Sequence, residues 1–163
     1  ELASALGADL TTPDLVGAKA RYEAVLSAFP GIAATKSDLS VLFIYAGNEE
    51  MIYVANPSDW ADLTLYDSQG LAIVEPEAEP GSYWETLSFE QAIKYPADIL
   101  FNSTRPGTFN ADELKAHPIL GQHPAVKAGQ IGAWNQDFIM SYQGMATALE
   151  GIIAVSSDAV KVT

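Results

Sequence analysis

The 163-residue sequence predicts an α/β domain with a mainly parallel central sheet, one β-hairpin and helices on both faces. Three observations carry that prediction. The apolar run of strand length at 41–46 is continuous rather than alternating, as in a strand covered on both faces, and 97–101 and 131–134 read as further strands. Segments with helix-start and helix-stop signals separate them. The alternation persists along the chain with no internal repeat and no low-complexity run, which points to one α/β unit.

The first full helix is expected from Thr12, which can cap it, with Pro13 at the first helical position and Asp14 at the positive end of the dipole. Val16, Tyr22, Val25, Leu26 and Phe29 fall mostly on one stripe, and Pro30-Gly31 is expected to end the helix. Before it, Leu2, Ala5 and Leu6 have helical spacing that begins abruptly, as in a cut through a longer element. After the 41–46 strand, residues 47–50 turn the chain into a shorter strand at 51–55. Asn56-Pro57-Ser58 opens a helix to Gln69, with Gly70 as its stop, and 71–74 reads as a short strand. Two prolines, a glycine and four glutamates make 75–85 a loop. Ser88 with Gln91 forms a capping box, with Leu87 placed to staple against Ala92, for a short helix stopping at Tyr95 before Pro96. The strand 97–101 leads through a loop at 102–109 to a second capping box, Asn110 with Glu113, for a helix ending near His117. The last strand is 131–134, and Tyr142, Met145, Leu149, Ile152 and Ile153 mark the closing helix.

Composition narrows the function. Twenty-one acidic against eight basic residues give a net charge of −13, so nucleic acid and anionic membrane surfaces are poor partners. No apolar run approaches the roughly 20 residues of a membrane span. Cysteine is absent, which removes disulfides and thiolate metal sites. No G-x-S-x-G elbow, phosphate-cradling loop or dinucleotide fingerprint occurs, so no catalytic residue, cofactor or metal site is assigned and the chain reads as a non-enzyme. His117 and His123 each precede a proline and are not spaced as a helical metal pair, so surface or capping roles are expected. Glu75, Glu77 and Glu79 are expected to form a solvated face.

Ligands of open α/β sheets bind at the carboxyl ends of the strands. The loops assigned to those ends, 47–50, 75–86, 102–109 and 135–140, carry Tyr83 and Trp84 on one and Arg105 on another, while Trp134 opens a third. Tyr53 and Trp60 flank the hairpin and the helix after it. Aromatic planes offer large contact area at low entropic cost, and a guanidinium pairs with carboxylate or phenolate oxygens. Tyr53, Trp60, Trp84, Arg105 and Trp134 are therefore the candidate ligand-binding residues for a bulky, anionic or chelate-like ligand.

The run Trp84-Glu85-Thr86-Leu87-Ser88-Phe89-Glu90-Gln91, then Tyr95-Pro96-Ala97-Asp98-Ile99-Leu100-Phe101, resembles a block of the class III periplasmic binding proteins. His117-Pro118-Ile119-Leu120, the stretch from Pro124 to Ile131 and the hairpin Met51-Ile52-Tyr53-Val54-Ala55 resemble further segments of that family, in family order. Gln69-Gly70-Leu71 lacks a glycine of the family pattern, and the loop after Val74 is unusually acidic.

The resemblance implies a three-layer, Rossmann-like lobe of a two-lobed receptor whose lobes are joined by a long helix. Residues 1–30 correspond to the end of that helix and 31–163 to the C-terminal lobe, with the N-terminal lobe absent. It further implies an extracytoplasmic solute-binding component of an ABC importer, anchored as a lipoprotein through a cysteine upstream of Glu1. The implied ligand is a ferric siderophore; haem, cobalamin or a metal ion are alternatives within the family. The implied partner is the membrane permease, with Glu90 as the docking carboxylate. A free-standing α/β interaction domain is the alternative outside the family.

Overall fold

The computed structural model describes residues 2–47 and 50–163, with side chains described from residue 4 onward. Its strands are β1 (Val41–Tyr45), β2 (Met51–Ala55), β3 (Trp84–Ser88), β4 (Ile99–Ser103) and β5 (Ile131–Trp134). They form one sheet in the order β3-β2-β1-β4-β5. β1 pairs in parallel with β4, and β4 with β5, while β2 runs antiparallel to both β1 and β3. Four strands therefore point one way and β2 alone opposes them, so the sheet is mainly parallel with the expected hairpin at one side. The 71–74 segment falls short of a strand: it makes a single parallel bridge from Ile73 to Val41.

The helices are α1 (Leu2–Ala5), α2 (Pro13–Thr35), α3 (Ala61–Ser68), α4 (Ala111–Ala116), α5 (Pro124–Ala128) and α6 (Tyr142–Asp158). α2 differs from expectation at both ends. Val16 is 53% exposed rather than buried on the stripe. The helix also runs through Pro30 to Thr35 instead of stopping there. Phe29 and Ala33 flank the proline, both buried, with the Phe29 ring 5.9 Å from that of Tyr66. An internal proline costs about 3 kcal/mol, and burying one large side chain returns about 1.5–3 kcal/mol, so packing offsets the break. α1 and α2 are separate helices, with Gly7 at φ 79° between them. α2 packs along α6, joined by Tyr22 to Tyr142 (5.8 Å between rings) and by an Arg21–Glu150 ion pair.

The period-2 geometry of the strands divides the core in two. One face carries Val41, Phe43, Ala55, Ile99, Phe101 and Trp134 and is covered by α2, α3 and α6. The other carries Leu42, Ile44, Ile52, Val54, Leu87 and Leu100 and is covered by α4 and α5. These are the helices on both faces that the sequence predicts.

Two capping boxes behave differently. Asn110 holds α4 as expected, accepting from the N–H groups of Asp112 and Glu113 at 2.9 and 3.0 Å while Glu113 accepts from the Asn110 N–H at 2.8 Å. At Ser88 the box is also present, but only a single 3-10 turn follows it, Phe89–Gln91. His123 is fully buried rather than superficial, but it does cap: its Nδ1 accepts from the Ala125 N–H at the start of α5, and its Nε2 lies 3.0 Å from the Tyr95 carbonyl. His117 Nδ1 similarly accepts from the N–H of Leu120 at 3.1 Å.

Asp98, just before β4, gathers the C-terminal tail. Its buried carboxylate accepts from the N–H groups of Ser40, Val162 and Thr163 at 2.7–2.8 Å and pairs with Lys161 Nζ at 2.9 Å. Burial works to raise its pKa, but Lys161 and the converging N–H donors outweigh it and hold the group far below the usual carboxylate range.

Candidate aromatic ligand wall

The register of the sheet puts Tyr45, Tyr53 and Trp84 on the same face as Phe43 and Trp134. Tyr45 lies opposite Tyr53, and Trp84 opposite Ala55, with side chains of alternate residues sharing a face. Trp84 is 6.2 Å from Tyr53 and 6.5 Å from Tyr45, measured between ring centroids. It packs edge-on against Trp60 at 5.0 Å, and Trp60 meets Tyr83 at 5.2 Å and Trp134 at 5.2 Å. Trp134 continues inward to Phe43 at 5.4 Å. Every one of these contacts is edge-to-face, the arrangement that aligns ring edges with ring faces and adds about 0.5–1.5 kcal/mol per pair.

Exposure falls steadily along this chain of rings. Tyr83 is 55% exposed, Trp60 and Trp84 are half-buried, and Trp134 is 2% exposed. Trp134 is therefore a correction to the candidate set: its ring sits in the core behind Trp60 and offers a ligand no surface. Its indole N–H is satisfied internally, donating to Asp62 Oδ2 at 2.7 Å. Trp60 is fixed by donating to the Tyr83 carbonyl at 3.0 Å. Trp84 stands at the first position of an edge strand, not in the loop expected from 75 to 85. The alternating 84–88 segment pairs one-to-one with β2, from Trp84 at Ala55 to Ser88 at Met51.

Arg105 lies two residues beyond β4, and its guanidinium is already engaged. Nε and Nη2 donate to the two oxygens of Asp137, each at 2.7 Å. With the Gln136 amide oriented to match, its oxygen accepts from Arg105 Nη1 at 2.7 Å and its nitrogen donates to Ser103 Oγ at 2.9 Å. The pairing raises the pKa of Arg105 and lowers that of Asp137, so both stay charged and cancel. The expected free cation is thus a neutralised clasp beside the wall.

Several participants carried weak signals in the sequence. Asn102, buried at the end of the β4 run, accepts from the Ala46 N–H at 2.9 Å and donates to the carbonyls of Ala46 and Phe109 at 3.0 and 2.7 Å. It stitches the exit of β1 to the loop that carries Arg105, and a polar residue inside an apolar run was its only mark. Gly47 is demanded there, since a Cβ would sit 2.2 Å from the Gly107 carbonyl oxygen. Tyr45, Asp62, Gln136 and Asp137 became visible only through packing.

The acidic loop is only partly a solvated face. Lys94 Nζ pairs with Glu77 at 2.9 Å and Glu85 at 2.6 Å, and the Tyr95 hydroxyl donates to Glu85 at 2.6 Å. Burial raises the Glu85 pKa, but these donors outweigh it and the net shift is downward. Among the described residues no three His, Asp or Glu side chains converge as a metal-ligand set. Glu90 is exposed in the 3-10 turn at the far end of β3, where its backbone and Ser88 favour the ionised form.

A hollow of about 550 Å³ lies along the 102–111 segment against Leu114 and Ile131, away from the rings. The aromatic wall is the better candidate because it combines aromatic rings with polar groups at one edge, the mixture that binding sites use.

The fold is that of a family of binding proteins. The family model described as "Periplasmic binding protein" matches residues 15–138, and the chain belongs to that family. The chain is similar to DesE, a ferric-siderophore receptor protein from Streptomyces coelicolor, at 30% identity and a TM-score of 0.90, covering 99% of this chain and 55% of DesE. Two more distant structures share the fold. PiaA of Streptococcus pneumoniae, in complex with ferrichrome, is 18% identical at a TM-score of 0.62, over 88% of this chain and 50% of that one. A periplasmic binding protein component of a Fep/Fec-like ferrichrome ABC transporter from Bacillus subtilis is 18% identical at 0.64, over 87% and 55%. The chain thus spans about half the length of these structures. No curated protein matched. Family membership implies an extracytoplasmic location, and among the described residues no helix is long and apolar enough to cross a membrane.

Proposed function

We propose that this chain is the C-terminal lobe of a two-lobed ferric-siderophore receptor that delivers its ligand to an ABC importer and catalyses nothing itself. Residues 1–30 form the end of the inter-lobe helix and 31–163 the lobe. The ligand rests against Tyr53, Trp60 and Trp84, with Trp134 as rigid backing and Arg105 in its clasp at the edge. Glu90 docks on the permease, and a lipid anchor upstream of Glu1 holds the full-length protein at the membrane. The observation that carries this reading is the likeness to a ferric-siderophore receptor over 99% of the chain, joined to a wall of rings that suits a bulky chelate. A ferric chelate brings its own metal ligands, so the lobe needs contact surface rather than histidines.

Tryptophan fluorescence of the full-length protein, titrated with ferric siderophores, haem and cobalamin, tests the proposal. Saturable quenching by a ferric siderophore is expected. Saturable binding of haem or cobalamin instead would reassign the ligand, and no response to any of them would refute the proposal. Glu90→Ala is expected to lower uptake with ligand affinity unchanged; a parallel fall in affinity would move Glu90 into the binding site.

A further inference from the structure

A second hollow, about 230 Å³, lies between α3, α6 and the 135–141 loop. Trp60, Leu65, Phe138, Met145 and Leu149 give it apolar sides, and Asp62 contributes a carboxylate. We propose that it is a subsite for a ligand arm, a short apolar chain ending in a protonated amine that pairs with Asp62. The inference rests on the chelate-binding reading above and deepens it.

Size, position and charge each support the assignment. Pockets that hold a whole drug-sized ligand run to about 300–1,000 Å³, so this one suits an appendage rather than a chelate core. One of its residues belongs to the wall described above and another to the clasp beside it. Trp60 packs against Trp84 at 5.0 Å, and the Gln136 oxygen faces the Arg105 guanidinium. A chelate held on the rings would therefore have this opening at its edge. Met145 and Met140 supply unbranched side chains that adapt to an alkyl chain.

Asp62 decides the chemistry of the arm. Its Oδ2 accepts from the Trp134 indole at 2.7 Å, and among the described residues no lysine, arginine or histidine pairs with it. Burial is the largest influence on the carboxyl and raises its pKa despite that hydrogen bond and those from its own and the Leu63 N–H. A desolvated carboxylate without a cation is completed by one. An anionic arm is disfavoured, because Arg105 is already neutralised by Asp137 and the chain carries a net charge of −13.

The test uses the full-length protein and two ferric trihydroxamate chelates that differ only in one arm, a free primary aminoalkyl chain in the first and its N-acetylated form in the second. The free amine should bind about tenfold more tightly, the scale of one charge-assisted hydrogen bond. Asp62→Asn, which keeps an acceptor for the Trp134 indole, should bring the two chelates to equal affinity. Met145→Phe, which fills the hollow and spares the carboxylate, should also erase the preference and serves if the Asp62 variant does not fold. Equal affinity of the two chelates for the unmodified protein would overturn the subsite while leaving the siderophore reading intact, as would a preference that survives Asp62→Asn. Failure of both chelates and of every other ferric siderophore to bind would overturn both.

Discussion

The two faces of the sheet are filled with different chemistry. On one, Leu42, Ile44, Ile52, Val54 and Leu100 interlock with Leu114 and Val126 of the short helices α4 and α5. On the other, Phe43, Phe101, Tyr66 and Trp134 form a ring stack whose members pass outward, through Trp60 and Trp84, to the surface. Aliphatic side chains fill the buried part of the first face, with Phe89, Tyr95 and Phe109 packed at its margin. Rings are long enough to be anchored in the core at one end and exposed at the other. The candidate ligand wall therefore inherits its rigidity from the core, which would lower the ordering cost of binding. One face stabilises the lobe, and the other both stabilises it and presents a surface.

Substitutions that separate these duties test the contrast. The largest effect belongs to neither face: Asp98→Ala leaves Lys161 and three backbone N–H groups without their acceptor and should lower unfolding stability by about 3–5 kcal/mol in chemical denaturation. Because the folded-state pKa of Asp98 is depressed, its contribution is complete above its unfolded value of about 3.9 and is lost as pH falls below that. Asp98→Asn should remove this part of the acid sensitivity, seen as a flatter stability profile below about pH 4.

Leu100→Ala, on the aliphatic face, should cost about 2–5 kcal/mol through the cavity it leaves, with no change in ligand affinity. Gly132→Ala strikes the aromatic face. Its new Cβ would lie 2.1 Å from the Phe101 ring, which stacks on Phe43 at 5.0 Å between centroids. Overpacking there should cost about 1–3 kcal/mol and alter the near-ultraviolet circular dichroism of the ring stack. Trp84→Phe keeps a ring at the rim and should cost no more than about 1.5 kcal/mol of stability, while weakening ligand binding about tenfold.

The aliphatic face was the more legible one in the sequence. Its Leu42, Ile44 and Ala46 lie in the continuous apolar run 41–46, and the Asn110–Glu113 box announced α4 directly. What local signals missed was decided by tertiary contact. β3 was hidden because Trp84 to Ser88 becomes a strand only by pairing with β2, and the proline-rich approach masked its start. α2 passes Pro30 because burial of Phe29 and Ala33 offsets a local break. The candidate site was half visible. Tyr53, Trp60 and Trp84 do share one wall, whereas Trp134 is its backing and Arg105 is spoken for by Asp137. Residue type marks what a side chain can do; depth and pairing, set by the fold, decide whether it is free to do it.

The most direct test sets Trp84→Phe beside Leu100→Ala in the full-length protein, measuring ferric-siderophore affinity by fluorescence and stability by denaturation for both. The account predicts a crossed result: affinity falls with Trp84→Phe at nearly full stability, and stability falls with Leu100→Ala at full affinity. Equal losses of affinity in the two variants, or unchanged affinity in Trp84→Phe, would contradict it.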